Sequence, residues 1–328
     1  MDDCSKIALS CDKDCQCHLV AKQFTNNVLT TLEQIKGETA WKIEIKNFSR
    51  LIYWDKHSNL LALLHKEVSK LSVMYTTPPL PKCADEKSLF DGITQCLLAM
   101  ISSLYHLPQE QGQTLFKQWY KYNISLLSAL HEFSVSLWNS QNVAQCTGAV
   151  WELCASGKNL PKDNKESLIV YQKQELALVD DAYTELEMAK NTYESGRTEA
   201  ESMSNYDLSV LVAGFGLVKT AKLLITKSLK SIKNNGHADT VTQITDYDVF
   251  YQQLSSTSEL VDDFAASLYP PSHKPEVKSS ATSLTDHLSC FLETFRQSHF
   301  CIETDGTWTT VFENAVKHNH DKVSQLVT

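Results

Sequence analysis

With 328 residues and a formal charge of −9, the chain is long enough to bury a large core without disulfides, and its length suggests about two domains. Of its 30 Lys and Arg residues only Arg50, Arg197 and Arg296 are arginines; base and phosphate readout leans on the arginine fork, so direct nucleic-acid binding is disfavoured. The 10 Gly and 8 Pro are about half of average usage, and they cluster at a few points. That leaves no place for a Gly-rich phosphate loop or for a strand-to-helix elbow carrying a nucleophile.

The first 30 residues contain no apolar stretch of signal-peptide type. The longest nearly apolar run, residues 208–218, falls short of the roughly 20 residues that cross a bilayer. A soluble, intracellular protein with free thiols is therefore expected, and Cys96, Cys290 and Cys301 lie among apolar neighbours as small core residues do. Cys4, Cys11, Cys15, Cys17 and His18 suit zinc by residue type. Their closest spacing is Cys15-x-Cys17 with no second knuckle, which reads as a frayed helix start, and no metal is expected.

Trp41, Lys42, Ile43, Glu44, Ile45 and Lys46 alternate strictly and read as extended chain. Beyond them apolar side chains step by three and four. Trp54, His57, Leu61, Leu64, Val68, Leu71 and Tyr75 mark one helix, and Leu115, Trp119, Tyr122, Leu126, Ala129, Phe133 and Leu137 a second. A third face is Ile169, Leu176, Val179, Tyr183 and Leu186, opposite Asp180, Asp181 and Glu185. Then come Leu208, Leu211, Phe215, Val218, Ile225, Leu229 and Ile232; Phe250, Leu254, Val261, Phe264 and Leu268; and Leu284, Leu288, Phe291 and Phe295. Each stripe needs a partner stripe, so the expected fold is all-α, two packed bundles of long amphipathic helices. Their expected limits are residues 1–160 and 161–328, with the sparse segment 193–205 as the other candidate boundary.

Asp163 with Glu166, and Thr310 with Glu313, have the spacing of helix-starting capping boxes. Residues 302–311 carry an Asp305-Gly306 turn signal between β-branched and aromatic residues, and are expected to be an extended linker rather than a ribbon.

No catalytic constellation emerges. Glu-x-x-His, which a di-iron bundle needs, is absent. His318-Asn319-His320 reads as an exposed helix face, Gly214-Phe215-Gly216 as close helix packing, and Asp180-Asp181 and Asp262-Asp263 as solvated helix residues. The protein is expected not to be an enzyme and to carry no cofactor. Charge, by contrast, is patterned. Residues 175–207 hold nine acids against Lys190 and Arg197, whereas residues 208–238 hold Lys219, Lys222, Lys227, Lys230 and Lys233 and no acid. Either the two helices lie side by side and neutralise each other, or a basic helix stays available to an acidic partner. Pro78-Pro79-Leu80-Pro81 reads as a rigid connector, with a polyproline ligand as the alternative.

Taken in order, Pro78-Pro79-Leu80-Pro81, Leu107-Pro108-Gln109-Glu110-Gln111-Gly112 with Thr114-Leu115, Val150-Trp151 followed by Leu160-Pro161-Lys162-Asp163-Asn164-Lys165, and Val261-Asp262-Asp263 running into Leu268-Tyr269-Pro270-Pro271 resemble the cyclin-D1-binding protein family, also called GCIP. The resemblance implies a two-part helical protein of cytoplasm and nucleus. It implies binding to D-type cyclins and helix-loop-helix transcription regulators, restraint of cell-cycle progression, no enzymatic activity and no basic DNA-reading region. In place of the family's longer acidic insert this chain has only residues 193–205. The alternative reading is a cytoskeletal adaptor built from talin- or vinculin-like bundles.

Overall fold

The computed structural model describes residues 16–37, 48–77, 83–139, 141–194 and 204–328. Among them there are eleven α-helices and no strand. The amino-terminal cysteines 4, 11 and 15, the alternating stretch 41–46, the proline connector 78–81 and most of segment 193–205 lie outside the described residues. So do the side chains of Cys17 and His18. The chain divides into two compact units, Met1–Gln109 with Phe116–Lys162, and Glu110–Leu115 with Asp163–Thr328.

The first unit holds α1 (Gln16–Gly37), α2 (Arg50–Thr76), α3 (Cys83–Tyr105), α5 (Val143–Ser156) and all but the first turn of α4 (Gln113–Asn139). Helix α2 packs on α3 and α5, and α1 packs on α3. The expected stripes form its core: Trp54, His57, Leu61, Leu64, Val68 and Leu71 of α2 are buried, as are Trp119, Tyr122, Leu126, Ala129, Phe133 and Leu137 of α4. Helix α1 adds Phe24, Val28, Leu32 and Ile35, and α3 adds Phe90, Ile93, Leu97, Met100 and Leu104. Side chains then pin helix to backbone: the Tyr120 hydroxyl donates to the Ile35 carbonyl at 2.9 Å and the Trp54 indole to that of Lys162 at 2.8 Å.

The second unit is built from α6 (Asn164–Glu194), α7 (Asn205–Asn235), α8 (Val241–Leu254), α9 (Thr257–Ser267), α10 (Lys274–Gln297) and α11 (Asp305–Val327). Helix α7 is central and touches α6, α9, α10 and α11. It starts with a capping box in which Ser204 and Asp207 satisfy each other's backbone N–H groups. Its last carbonyls, those of Lys233 and Gly236, accept from the Lys165 ammonium at 3.0 and 2.9 Å, which also suits the helix dipole. By length and mean hydropathy, 1.8 over its best window, α7 could cross a bilayer, yet half of that window is buried in the bundle. The stripes of α8, α9 and α10 are fully buried as expected. In α6 the buried line runs instead through Leu168, Gln172, Val179, Ala182 and Leu186, leaving Ile169, Leu176 and Tyr183 half-buried at its margin. Buried Gln172 donates to the Ile225 carbonyl and the Ser228 hydroxyl, 3.1 and 2.7 Å away, so a polar residue occupies the α6–α7 seam at no hydrogen-bonding loss for its amide N–H groups.

The Asp163 carboxylate accepts from the Glu166 N–H at 2.8 Å, starting α6 where its spacing predicts. Residues 302–311 correct the expectation. Helix α11 begins at Asp305, so Asp305-Gly306 opens a helix rather than a turn and Thr310 lies inside it. The reason is tertiary. Buried Asp305 accepts from Ser231 of α7 at 2.9 Å, from its own neighbour Trp308 at 2.6 Å and from the Ile302 N–H at 3.1 Å. An acid at that position also favours a helix start. Asp305→Ala strands the buried Ser231 hydroxyl and the part-buried donors of Trp308 and Ile302 and is expected to cost about 2 kcal/mol, measurable as a fall in urea midpoint; an unchanged midpoint would show that water replaces the carboxylate.

Residues Glu110–Leu115 belong to the second unit through a polar network. Asp248 of α8 accepts from the N–H groups of Gln113 and Thr114 and from the Thr114 hydroxyl, each at 2.8 Å, and so caps α4 from outside. Fully buried Asn164 accepts from the Leu115 N–H and donates to Asp248 and to the Ile244 carbonyl, each at 2.9 Å. Gly112 lies directly against the Asn164 side chain with φ +113°, where a Cβ would both strain the backbone and collide.

Candidate partner-docking surfaces

Among the described residues no three His, Cys, Asp or Glu side chains gather as a metal site would require. Burial pushes the Cys96 and Cys154 thiols up to about 11, which keeps both protonated and unreactive near neutral pH. The other singled-out motifs are packing devices. In His318-Asn319-His320 the central Asn319 donates to the Gly216 carbonyl at 3.2 Å and to the Thr220 hydroxyl at 2.9 Å, fastening α11 to α7. A Cβ at Gly216 would meet that same Asn319 at 2.6 Å, and one at Gly214 would meet buried Leu268 at 2.5 Å. Gly214→Ala gains helix propensity but must displace Leu268, for a net loss of about 1 kcal/mol. A thermal midpoint at or above that of the wild type would contradict this.

The two charged segments do lie side by side, α6 against α7. Lys222 of α7 pairs with Asp180 of α6 and sits 4.1 Å from the centre of the Tyr183 ring, while Lys190 of α6 lies 5.5 Å from that of Phe215. Neutralisation stops there. Lys219, Lys227, Lys230 and Lys233 are exposed, with no ion pair among the described residues. Glu175, Asp181 and Glu185 of α6 instead face α9. The Asp262 carboxyl is held above its ordinary range by partial burial and by the charges of Asp263, Glu185, Asp181 and Glu175. The second unit therefore presents an acidic side along α6 and α9 and a basic line along α7.

Each unit also has a shallow groove. In the first, Ile52, Lys56 and Leu60 of α2 face Ala99 and Ser102 of α3 and His106 just beyond it across about 510 Å³. Elsewhere in this unit Trp151 of α5 is part-exposed, stacked on His65 of α2 with ring centres 5.2 Å apart and its indole N–H donated to Ser69 at 3.1 Å. In the second, Leu208, Val212 and Ala213 of α7 face Lys322, Gln325 and Leu326 of α11 across about 530 Å³. Broad shallow faces of this kind suit protein partners better than small molecules, which favour deep enclosed clefts.

The family models named Grap2 and cyclin-D-interacting, N-terminal and C-terminal, match residues 58–192 and 179–293. The cyclin-D1-binding protein 1 homolog of Xenopus laevis is 30% identical across 84% of this chain and 88% of its own. The chain belongs to this family. Cyclin-D-interacting relatives from Danio rerio and Homo sapiens, the first a cyclin-D1-binding protein 1 homolog and the second cyclin-D1-binding protein 1, are 27% and 23% identical over 85% and 86% of the chain. The two GCIP family models meet inside α6, whereas the compact units part just before it. Three of the connector segments that carried the family resemblance are now placed. Gln113, Thr114 and Asn164 converge on Asp248, Gly112 and Leu115 meet Asn164, and Leu268 seats against Gly214.

Proposed function

We propose that this chain is a non-enzymatic interaction protein of cytoplasm and nucleus that binds a D-type cyclin and helix-loop-helix regulators and thereby restrains cell-cycle progression. The observation that carries the reading is similarity to a cyclin-D1-binding protein 1 homolog along 84% of the chain, through both units. The broad charged faces support a protein partner. The relatives found are cyclin-D1-binding proteins, so the cytoskeletal-adaptor reading has no support and is set aside. Isothermal titration of the purified full chain with a D-type cyclin from its own organism tests the proposal. A saturable heat is expected, and no binding, while the Xenopus relative binds its cyclin in parallel, would overturn it.

A further inference from the structure

The exposed side of α7 carries more chemistry than the bundle uses. Val212, Lys219, Leu223 and Lys230 follow one another at steps of seven, four and seven residues, which places them within about 20° of one line on the helix. All four are exposed, Val212 by 43% and Leu223 by 44%. Lys227 and Lys233 flank that line, and the stretch from Val212 to Lys233 spans about 31 Å. At one end it opens into the groove between α7 and α11 whose apolar lining is Leu208, Val212, Ala213 and Leu326. Lysines near a helix carboxyl terminus complement the dipole, which accounts for Lys230 and Lys233. It does not account for Lys219 or Lys227, about four and two turns in from that end.

We propose that this line is the docking surface for an acidic amphipathic helix of a partner protein. Its apolar side chains enter the α7–α11 groove and cover Leu223, and its carboxylates meet Lys219, Lys227, Lys230 and Lys233. Charge and shape select this occupant. The acidic flank of α6 comes beside α7 at Asp180, which pairs with Lys222. A helix about 10 Å wide fits the ridge without touching that flank, whereas a duplex or an anionic bilayer would be pressed against it. The two exposed apolar residues stand about 16 Å apart, too sparse for the continuous apolar face that a membrane-surface helix inserts. Lysines without arginine also suit dispersed carboxylates better than bidentate phosphate contacts. The inference goes beyond the cyclin reading, because it fixes the chemistry of the docked element whichever partner carries it.

The test uses the full chain and a fluorescein-labelled helical peptide of about 21 residues, with leucines placed to meet Val212 and Leu223 and glutamates to meet the four lysines. Saturable anisotropy is expected, weakened roughly tenfold by Lys219→Glu/Lys230→Glu, by Leu223→Asp, and by raising salt from about 50 to about 200 mM. All three positions are exposed, so unchanged circular dichroism melting certifies the variants. Equal affinity for the wild type and either variant, equal binding of a peptide with lysines replacing its glutamates, or tighter binding of phosphatidylserine vesicles or of an oligonucleotide would each overturn the proposal. Titrating a D-type cyclin into the wild type and into Lys219→Glu/Lys230→Glu separates the readings. Failure of cyclin to bind either one counts against the proposed function and leaves the peptide result standing.

Discussion

Asn164→Asp is expected to destabilise the protein by about 4 kcal/mol, close to the whole stability of a marginal domain. Asn164 is fully buried, and its amide N–H groups serve Asp248 and the Ile244 carbonyl, both 2.9 Å away. The substitution replaces those donors with carboxylate oxygen. It sets a second negative charge against Asp248, which already accepts from Gln113 and Thr114, and leaves the Ile244 carbonyl unmatched. Asn164→Ala strands the Leu115 N–H and the Ile244 carbonyl but adds no charge, so its cost should be smaller, about 2 kcal/mol. Adding Asp248→Asn to Asn164→Asp restores a donor between the two side chains and should recover part of the loss. Urea unfolding of the wild type, Asn164→Asp, Asp248→Asn and the double variant as a double-mutant cycle measures the coupling. Additive effects would mean that repulsion at Asp248 is not the cause.

That network also explains what the sequence could and could not reveal. Gly112, Thr114, Leu115 and Asn164 carry part of the family resemblance because each has a backbone or side-chain task that few residues can perform: a positive φ against a neighbouring amide, a capped helix start, a two-way amide. Asp248, the acid they converge on, is 84 residues from Asn164. It looked like any polar position on α8, and no local signal marks a helix cap supplied from so far away. The stripes of α2, α4, α8, α9 and α10 were legible because burial and helical period coincide there. Helix α1 escaped notice because Phe24, Val28, Leu32 and Ile35 are set among Thr and Asn, and α3 because Gly92 and a scatter of Ser interrupt it. The start of α11 is not legible locally, because Asp305-Gly306 is a turn signal there and its contacts with Ser231 and Trp308 make it a helix start. The free lysines of α7 could be suspected from charge, but which of them remained unpaired depended on the antiparallel register that matches Lys222 to Asp180.

Acid should weaken this fold through His57. Its ring is 3% exposed, and neither nitrogen has a hydrogen-bond partner among the described residues. It stands edge-on to Trp119 at 4.3 Å between ring centres, with Trp54 and Tyr122 at 5.9 and 6.2 Å. Nothing there can solvate an imidazolium, and burial lowers its pKa from 6.5 to about 4. The unfolded chain therefore binds a proton at a pH where the folded chain does not. The stability this confers is complete above pH 6.5 and is lost as pH falls toward 4, at roughly 1.4 kcal/mol per pH unit and about 3 kcal/mol in all. Half-buried His287, whose pKa burial also lowers, contributes in the same direction. His57→Phe keeps an aromatic ring in the box and removes both unpartnered nitrogens. Urea unfolding at pH 7.5 and pH 5 should show the wild type losing clearly more stability than the variant over that interval. Equal losses would mean that the imidazole is solvated in the native protein. A variant no less stable than the wild type at pH 7.5 would further mean that these nitrogens contribute nothing to the fold, leaving His57 as the most replaceable member of an otherwise apolar stripe.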